Sequence, residues 1–244
     1  MCMTTTATFS RYADLPVLIG LMEGDEKHDG ASLSTVDVLW VLYDRVLAIT
    51  PETAEAPGRD RFLLSKGHGP TAFYAVLAAK GFLKVSALRG WASFDSPLGH
   101  HPDRVLVPGA EIGSGSLGHG LPLALGSALG LRAQGLRRAD GAEPRVVVLV
   151  GDGELDEGSN HEAIAAAARL GVDNLTVVVI DNDSSQHGWP GGIGRRFEVE
   201  GWETREVNGR DHDALEKAFT PSDDGRPLVV VARIRNGNRG ADHA

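Results

Sequence analysis

Continuous apolar runs dominate the second half of the chain. Residues 145–150, 175–181 and 228–234 are such runs, and they are rich in β-branched side chains. Runs of this kind are typical of strands that are covered on both faces of a parallel sheet. Helical patterns at about 159–170 and 211–219 alternate with them. The alternation predicts an α/β fold, a three-layer parallel sheet flanked by helices.

The first half shows apolar positions at helical spacing. They predict helices at 11–22, 34–48, 70–80 and, more briefly, 88–94. A further short strand is predicted within 197–207, and Asp211 is suited to cap the helix that follows. No linker or internal repeat divides the chain. We therefore predict a single domain over residues 1–244, with residues 1–10 disordered.

Composition and charge narrow the class of protein. Hydrophobic residues make up 42% of the chain and charged residues 23%, as in a globular protein. The net charge of −9 argues against nucleic acid and against an anionic membrane surface as partners. A single cysteine, Cys2, excludes a disulfide framework within the chain. The sequence has no apolar run of about 20 residues and no secretory signal, so we expect a cytoplasmic protein without a membrane span.

The first candidate for chemistry is the turn after the run at 145–150. Gly151-Asp152-Gly153 stands there, where open α/β sheets bind ligands. Glycines let backbone N–H groups approach a phosphate closely. A carboxylate between them suits a phosphate site only if a cation shares it. The tripeptide alone is equally compatible with a tight turn that Asp152 caps.

The second candidate lies at the end of the next run. Asn182 follows Asp152 at the distance of one strand–helix–strand unit, so the two strand ends are expected to lie side by side. The Asp152 carboxylate, the Asn182 amide oxygen, a backbone carbonyl and diphosphate oxygens form an all-oxygen donor set. Such a set suits Mg²⁺ or Ca²⁺ and not zinc.

Six segments, in order along the chain, resemble motifs of thiamin diphosphate enzymes, and of the N-terminal, diphosphate-binding half of transketolase in particular. They are His28–Ser34, Asp60–Gly69, Gly99–Pro102, Gly113–Gly120, Gly151–Glu154 and Asp181–Asn182. The resemblance covers most of the chain. It implies the thiamin diphosphate-binding fold, with thiamin diphosphate and Mg²⁺ (or Ca²⁺) as cofactors.

The resemblance also implies roles for individual residues. Asp152, Asn182 and the backbone carbonyl of Ser184 match the metal ligands. Gly153 matches a diphosphate contact, and Gly115 and Leu117 match contacts to the aminopyrimidine side of the cofactor. Active-site histidines that contact diphosphate or substrate and move protons are matched by His28, His68 and His101. Glu157 and Glu162 match carboxylates at the subunit interface. The other loop histidines, His100, His119, His161 and His187, are interpreted as ordinary surface or loop residues.

The activity implied is the transfer of a two-carbon ketol unit from a ketose phosphate donor. In the family, a glutamate of the pyrimidine-binding domain activates the cofactor, and that domain normally follows in the same chain. Here the sequence ends at Ala244. The resemblance therefore predicts the N-terminal subunit of a split transketolase. This transferase would be a heterotetramer, inactive without a separate C-terminal subunit that carries the catalytic glutamate.

Two alternatives remain open. The two-carbon unit could pass to a lipoyl or carrier-protein thiol, as in the related oxo-acid dehydrogenases. The chain could also be a non-catalytic paralogue that acts as a binding subunit. Asp29 and Asp183, where the family usually has Pro and Gly, and the short C-terminal tail favour the second alternative slightly. The intact motif residues oppose it more; they are Asp152, Asn182, His28, His68 and His101.

Overall fold

The computed structural model describes residues 9–23, 29–185, 187–221 and 224–234. A wholly parallel sheet of five strands lies at its centre. The strands are β1 (Arg61–Leu64), β2 (Val146–Gly151), β3 (Leu175–Asp181), β4 (Glu203–Asn208) and β5 (Leu228–Arg233). Their order across the sheet is β1-β2-β3-β5-β4.

Helices cover both faces of this sheet. They are α1 (Leu15–Ile19), α2 (Asp29–Leu33), α3 (Val36–Val41), α4 (Thr71–Ala79), α5 (Gly120–Ala133), α6 (Gly158–Arg169), α7 (Ile193–Glu198) and α8 (His212–Ala218). Short 3₁₀ turns occur at Tyr12–Asp14, Pro51–Thr53, Val85–Gly90 and Gly153–Asp156. The Asp211 side chain caps α8 by accepting from the N–H groups of Asp213 and Ala214, as predicted.

Two apolar cores hold the three layers together. Every residue of β2 is buried, and its side chains alternate between the two faces of the sheet. Val147 and Leu149 belong to the core beneath α1, α3 and α4. Val146 and Val148 belong to the core beneath α5 and α6. The predicted three-layer parallel α/β fold is therefore confirmed, and its central strands read as continuous apolar runs because both of their faces are buried.

Three local features differ from the sequence-based expectation. The sequence pattern does not predict strand β1, because four residues are too few to show a period. The helix predicted at 88–94 is instead a 3₁₀ turn at Val85–Gly90, and Ala92 beyond it has a left-handed φ of 57°, which no helix accommodates. The helix predicted over 34–48 is α3 continued by a π-helical turn at Leu42–Val46.

Two further expectations concern the chain ends and membranes. Most of the segment expected to be disordered, residues 1–8, lies outside the described residues. Within the described ranges, no helix combines the length and apolarity that crossing a bilayer requires.

Candidate functional site

Three strand ends meet at one edge of the sheet. Because β1, β2 and β3 are parallel neighbours, the residues that follow them, Ser65, Asp152 and Asn182, come together at the carboxyl end. The Asp152 N–H donates to the Ile180 carbonyl at 3.1 Å, which continues the ladder between β2 and β3 past the last strand residue. The predicted proximity of Asp152 and Asn182 rests on this pairing.

Asp152 is buried, with 3% of its surface exposed. One carboxylate oxygen accepts from the N–H of Gly153 at 2.9 Å and from the Ser184 hydroxyl. The other accepts from the N–H groups of Ser184 at 2.7 Å and Ser185 at 3.1 Å. Asp152 therefore caps its own turn, as the simpler interpretation of Gly151-Asp152-Gly153 expected, and at the same time it fixes the loop that follows β3.

The loop after β3 turns sharply at Asp183, where the motif that this segment resembles usually has Gly. Asp183 has a left-handed φ of 58°, a conformation that glycine adopts most readily and that aspartate tolerates better than most residues. The substitution of Asp for the family's Gly therefore preserves the turn. Burial, together with the carboxylates of Asp152 and Asp183, raises the pKa of Asp181 above its usual range.

Asn182 carries the clearest signal of a missing partner. Its amide nitrogen lies 3.5 Å from the Ser34 hydroxyl, whereas its buried side-chain oxygen has no hydrogen-bond partner. A buried acceptor without a partner is costly. The Ser184 carbonyl lies beside Gly153, 3.5 Å from the place that a Cβ of that residue would occupy. These oxygens and the Asp152 carboxylate fit a hard divalent cation.

Neutral oxygen atoms are an essential part of this donor set. Among the described residues, no group of three or more His, Cys, Asp or Glu side chains is arranged to hold a metal ion. A cation at this edge would therefore depend on Asn182 and on a backbone carbonyl in addition to Asp152. The hydrogen bonds from Ser184 and Ser185 to Asp152 would have to yield to it.

The glycine-rich segment 113–120 crosses the end of β1. Gly115 has a φ of 122°, and a Cβ there would lie 2.8 Å from Cδ2 of the His101 ring. A Cβ on Gly120 would collide with the Cβ of Ser65. These glycines permit the close approach of three segments, which larger residues would push apart.

A cavity of about 570 Å³ opens where these segments meet. Its wall includes Lys66, His68, Leu117, Gly151, Gly153, Glu154, Asp156, Asn182, Ser184 and His187. The rings of His68 and His101 meet edge to face with their centroids 5.4 Å apart. The mixture of backbone N–H groups, acidic side chains and imidazoles is suited to an anionic ligand that carries a metal and exchanges protons.

Glu154 connects the parts of this wall. It is 2% exposed, and it accepts from the Ser65 hydroxyl, from the Gly118 N–H at 3.0 Å and from the Gly151 N–H at 3.2 Å. Burial raises its pKa despite these hydrogen bonds. The Asn160 amide holds the Glu154 carbonyl at 2.7 Å. One carboxylate thus links the ends of β1 and β2 to the glycine-rich segment.

Lys66 brings a positive charge into the same wall. Its side chain is almost fully buried, with the residue 7% exposed, and it runs past Gly151. Burial lowers the pKa of its ammonium group to about 8, although Asp152 and Glu154 act in the opposite direction. Sequence reasoning assigns no role to Lys66, Glu154 or His187. The signals that could have indicated a role are the positions of Lys66 and Glu154 within the resembled motifs, and the position of His187 in the loop after β3.

The structure brings most of the predicted site residues together. The cavity wall contains His68, Leu117, Gly153, Asn182 and Ser184. Asp152 and His101 contact members of this wall, and Gly115 packs against His101. Glu157 and Glu162 are exposed, at the start and in the first turns of α6, and Glu157 packs beside Gly118. His28 lies outside the described residues.

Comparison with known proteins agrees with the class that this fold and site define, a parallel α/β domain that binds a cofactor at its strand ends. A sequence profile for the transketolase thiamine diphosphate binding domain matches residues 20–240. The chain therefore belongs to the transketolase family, by way of its thiamin diphosphate-binding domain.

Two relatives and one solved structure illustrate the similarity. "Ferredoxin fas2" of Rhodococcoides fascians is 56% identical over 223 residues, which are 91% of this chain and 72% of that protein. A subunit of the apulose-4-phosphate transketolase of Actinobacillus succinogenes is 36% identical over 217 residues, 86% of this chain and 76% of that protein. Transketolase from Leishmania mexicana superposes with a TM-score of 0.72 at 25% identity, over 92% of this chain and 37% of that one. The chain thus spans little more than a third of that solved transketolase.

Proposed function

We propose that this chain is the diphosphate-binding subunit of a two-chain, transketolase-like enzyme that transfers a two-carbon ketol unit from a ketose phosphate. The observation that carries the proposal is the buried, unpartnered oxygen of Asn182 beside the carboxylate of Asp152, at the carboxyl end of a parallel sheet. Membership of the family supports thiamin diphosphate as the cofactor. The relative from Actinobacillus succinogenes, which is named as one subunit of an apulose-4-phosphate transketolase, supports both the split architecture and a ketose phosphate donor.

The cofactor, when bound, supplies the carbon nucleophile that accepts the two-carbon unit. The residues of this chain have other tasks. Asp152, Asn182 and the Ser184 carbonyl would hold Mg²⁺ (or Ca²⁺), and Gly153 would contact the diphosphate. Gly115 and Leu117 would border the aminopyrimidine side.

The histidines would serve the substrate. His68 lines the cavity, and the edge-to-face contact with His101 holds the two imidazoles next to each other. Imidazole nitrogens in such a position can donate hydrogen bonds to substrate oxygens and transfer protons. His28 is assigned the same task on the family motif alone. Glu157 and Glu162, which are exposed on this chain, would be covered by the partner subunit.

Reconstitution tests the proposal. The chain would be mixed with a pyrimidine-domain chain from the same genome, and ketol transfer would be measured with apulose 4-phosphate or xylulose 5-phosphate as donor and an aldose phosphate as acceptor. We expect turnover only when both chains, thiamin diphosphate and Mg²⁺ are present. Turnover by this chain alone would contradict the split architecture.

A pair of matched variants tests whether the activity depends on the site around Asp152. Asp152→Asn should abolish turnover, whereas Asp173→Asn, an exposed change at the opposite end of the sheet, should leave it intact. Transfer to a lipoyl or carrier-protein thiol, with none to aldose phosphates, would favour the oxo-acid-dehydrogenase-like alternative. A complete lack of cofactor binding by the mixed chains would favour the non-catalytic paralogue.

A further inference from the structure

Glu154 is a buried carboxylate that has no task in the proposed function. Its Oε1 accepts from the Ser65 hydroxyl and from the Gly118 N–H, and its Oε2 accepts from the Gly151 N–H. An ionised carboxylate offers acceptors only, so it matches a set of three donors. The two oxygens thus connect the glycine-rich segment to the turn after β2.

Two further hydrogen bonds hold the same part of the glycine-rich segment. The Ser159 hydroxyl, on α6, donates to the Gly118 carbonyl at 2.6 Å. The Gly120 N–H donates to the Ser65 hydroxyl oxygen at 3.0 Å. Side chains from three elements therefore bind the backbone at 118–120. We call Ser65, Glu154 and Ser159 the Gly118 clamp.

The turn that the Gly118 clamp holds is closely packed. Gly118 has a φ of 82°, and a Cβ there would lie 2.6 Å from the Cβ of Glu157 and 2.7 Å from the Ser159 hydroxyl oxygen. Leu117 directly precedes this glycine, and its half-buried side chain lines the cavity. Because both the N–H and the carbonyl of Gly118 are bound, the clamp determines where the side chain of Leu117 stands.

We propose that Glu154 is a positioning residue, which through the Gly118 clamp holds Leu117 against the aminopyrimidine ring of the cofactor. This inference rests on the proposed function, since it assumes that Leu117 borders that ring. Its consequence is selective. The clamp should strengthen the binding of thiamin diphosphate, which has the ring, more than the binding of inorganic pyrophosphate, which lacks it.

Calorimetric titration with these two probes tests the role of the clamp. Each probe, in saturating Mg²⁺, would be titrated into the full chain mixed with a pyrimidine-domain chain from the same genome. Ser159→Ala should weaken thiamin diphosphate binding about 3- to 10-fold, as the loss of one neutral hydrogen bond predicts, and leave pyrophosphate binding within about twofold of the wild type. The matched control is Ser93→Ala, which removes an exposed hydroxyl that donates to the Gly90 carbonyl, and it should change neither affinity.

Glu154→Gln tests the central side chain. A carboxamide has one acceptor oxygen, so its NH₂ group would face an N–H donor of Gly118 or Gly151. We expect thiamin diphosphate to bind about 10- to 100-fold more weakly, as the loss of a hydrogen bond to a charged group predicts. Pyrophosphate binding should fall by a smaller factor, which reflects the contact with Gly151 beside Asp152. The exposed control Glu143→Gln should match the wild type.

The ratio of the two affinities separates positioning from a merely structural role. Equal losses of thiamin diphosphate and pyrophosphate affinity would overturn the proposal, because they would show that the clamp supports the site as a whole. Thiamin diphosphate affinity within about twofold of the wild type in both clamp variants would overturn it as well. If Glu154→Gln does not fold, Ser159→Ala decides between these outcomes.

One outcome concerns the proposed function itself. A wild-type mixture that binds neither thiamin diphosphate nor pyrophosphate contradicts the proposed function and the positioning role together. Wild-type binding that Asp152→Asn abolishes, and that Ser159→Ala and Glu154→Gln leave unchanged for both probes, contradicts the positioning role alone.

Discussion

Two buried aspartates stand at opposite ends of the same pair of strands. Asp60 precedes β1 at the amino end of the sheet and is 0% exposed, and Asp152 follows β2 at the carboxyl end and is 3% exposed. Asp60 pairs with the guanidinium groups of Arg138 at 3.3 Å and Arg145 at 3.2 Å. It also accepts from the backbone N–H groups of Ala48 and Arg145.

The partners of Asp152 are of a different kind. The hydrogen bonds described for it come from its own turn and from the loop after β3, through backbone N–H groups and the Ser184 hydroxyl. A loop can rearrange, whereas the two arginines of Asp60 are themselves packed into the fold. The difference teaches that burial alone does not identify a functional carboxylate. The nature of its donors, and the cavity next to it, distinguish a structural carboxylate from one suited to a metal.

The largest effect is expected at the amino end. Asp60→Asn should lower the free energy of unfolding by about 3–5 kcal/mol, because it leaves the buried sides of Arg138 and Arg145 without their carboxylate. Urea unfolding of both proteins measures the loss. Asp140→Asn removes the exposed partner of Arg138 and should leave the free energy of unfolding nearly unchanged. A loss at Asp60 below about 1 kcal/mol would show that its ion pairs are not structural.

A ligand should have the next largest effect, at the carboxyl end. Thiamin diphosphate and Mg²⁺ at 100 times their dissociation constant should raise the free energy of unfolding by about 2.7 kcal/mol. The gain should disappear in Asp152→Asn and persist in Asp173→Asn. Equal stabilisation of the wild type and Asp152→Asn would place the ligand elsewhere on the molecule.

The same titration reports on the loop. A cation at Asp152 must displace the N–H groups of Ser184 and Ser185, and the loop they belong to continues to Trp189, which is 36% exposed. The other tryptophans, Trp40, Trp91 and Trp202, are at most 5% exposed and lie in the core. Ligand binding should therefore change the tryptophan emission, and Trp189→Phe should remove that change while keeping the stabilisation. An unchanged emission in the wild type would mean that the loop keeps its hydrogen bonds.

The sequence predicts the parts of this molecule that depend on local pattern. The runs that form β2, β3 and β5 are continuously apolar and rich in β-branched residues, and this composition distinguishes them from loops. The proximity of Asp152 and Asn182 follows from strand ends in a parallel sheet. The role of Asp211 follows from the preferences of a helix N-terminus, and it caps α8.

The remaining features depend on contacts between segments that are distant along the chain. The burial of Glu154 is created by Ser65 and Gly118, and that of Lys66 by Gly151 and the sheet edge. No spacing of residues in the sequence predicts that these side chains are buried. His187 is interpreted from the sequence as an ordinary loop residue, and its position in the cavity wall results from the path of the loop after β3.

The smallest effect concerns a third buried aspartate. It separates the influence of a carboxylate's partners from the influence of its position in the fold. Asp37 lies on α3 and accepts from the Tyr12 hydroxyl at 2.6 Å, from Arg210 at 2.5 Å and from His212 at 2.8 Å. Burial by itself would raise the pKa of Asp37, but the hydrogen bonds from these three side chains lower it below the usual value. Arg210 follows the carboxyl end of β4, so Asp37 lies near the same end of the strands as Asp152. Its partners, however, are side chains from other elements of the fold, including an arginine, as they are for Asp60.

Asp37→Asn should therefore behave like a weak version of Asp60→Asn, with a cost of about 1 kcal/mol at neutral pH. Because the folded-state pKa lies below the unfolded-state value of about 3.9, the stability that the ionised carboxylate contributes is complete above that value. It is lost as the pH falls through the folded-state pKa. Urea unfolding between pH 7 and pH 3 should show the cost of the substitution shrinking at the acid end, whereas the exposed control Asp95→Asn should show no cost at either end. A cost that stays constant with pH would mean that shape and packing, and not charge, make Asp37 structural, and the partners of a carboxylate would then be a poor guide to its role.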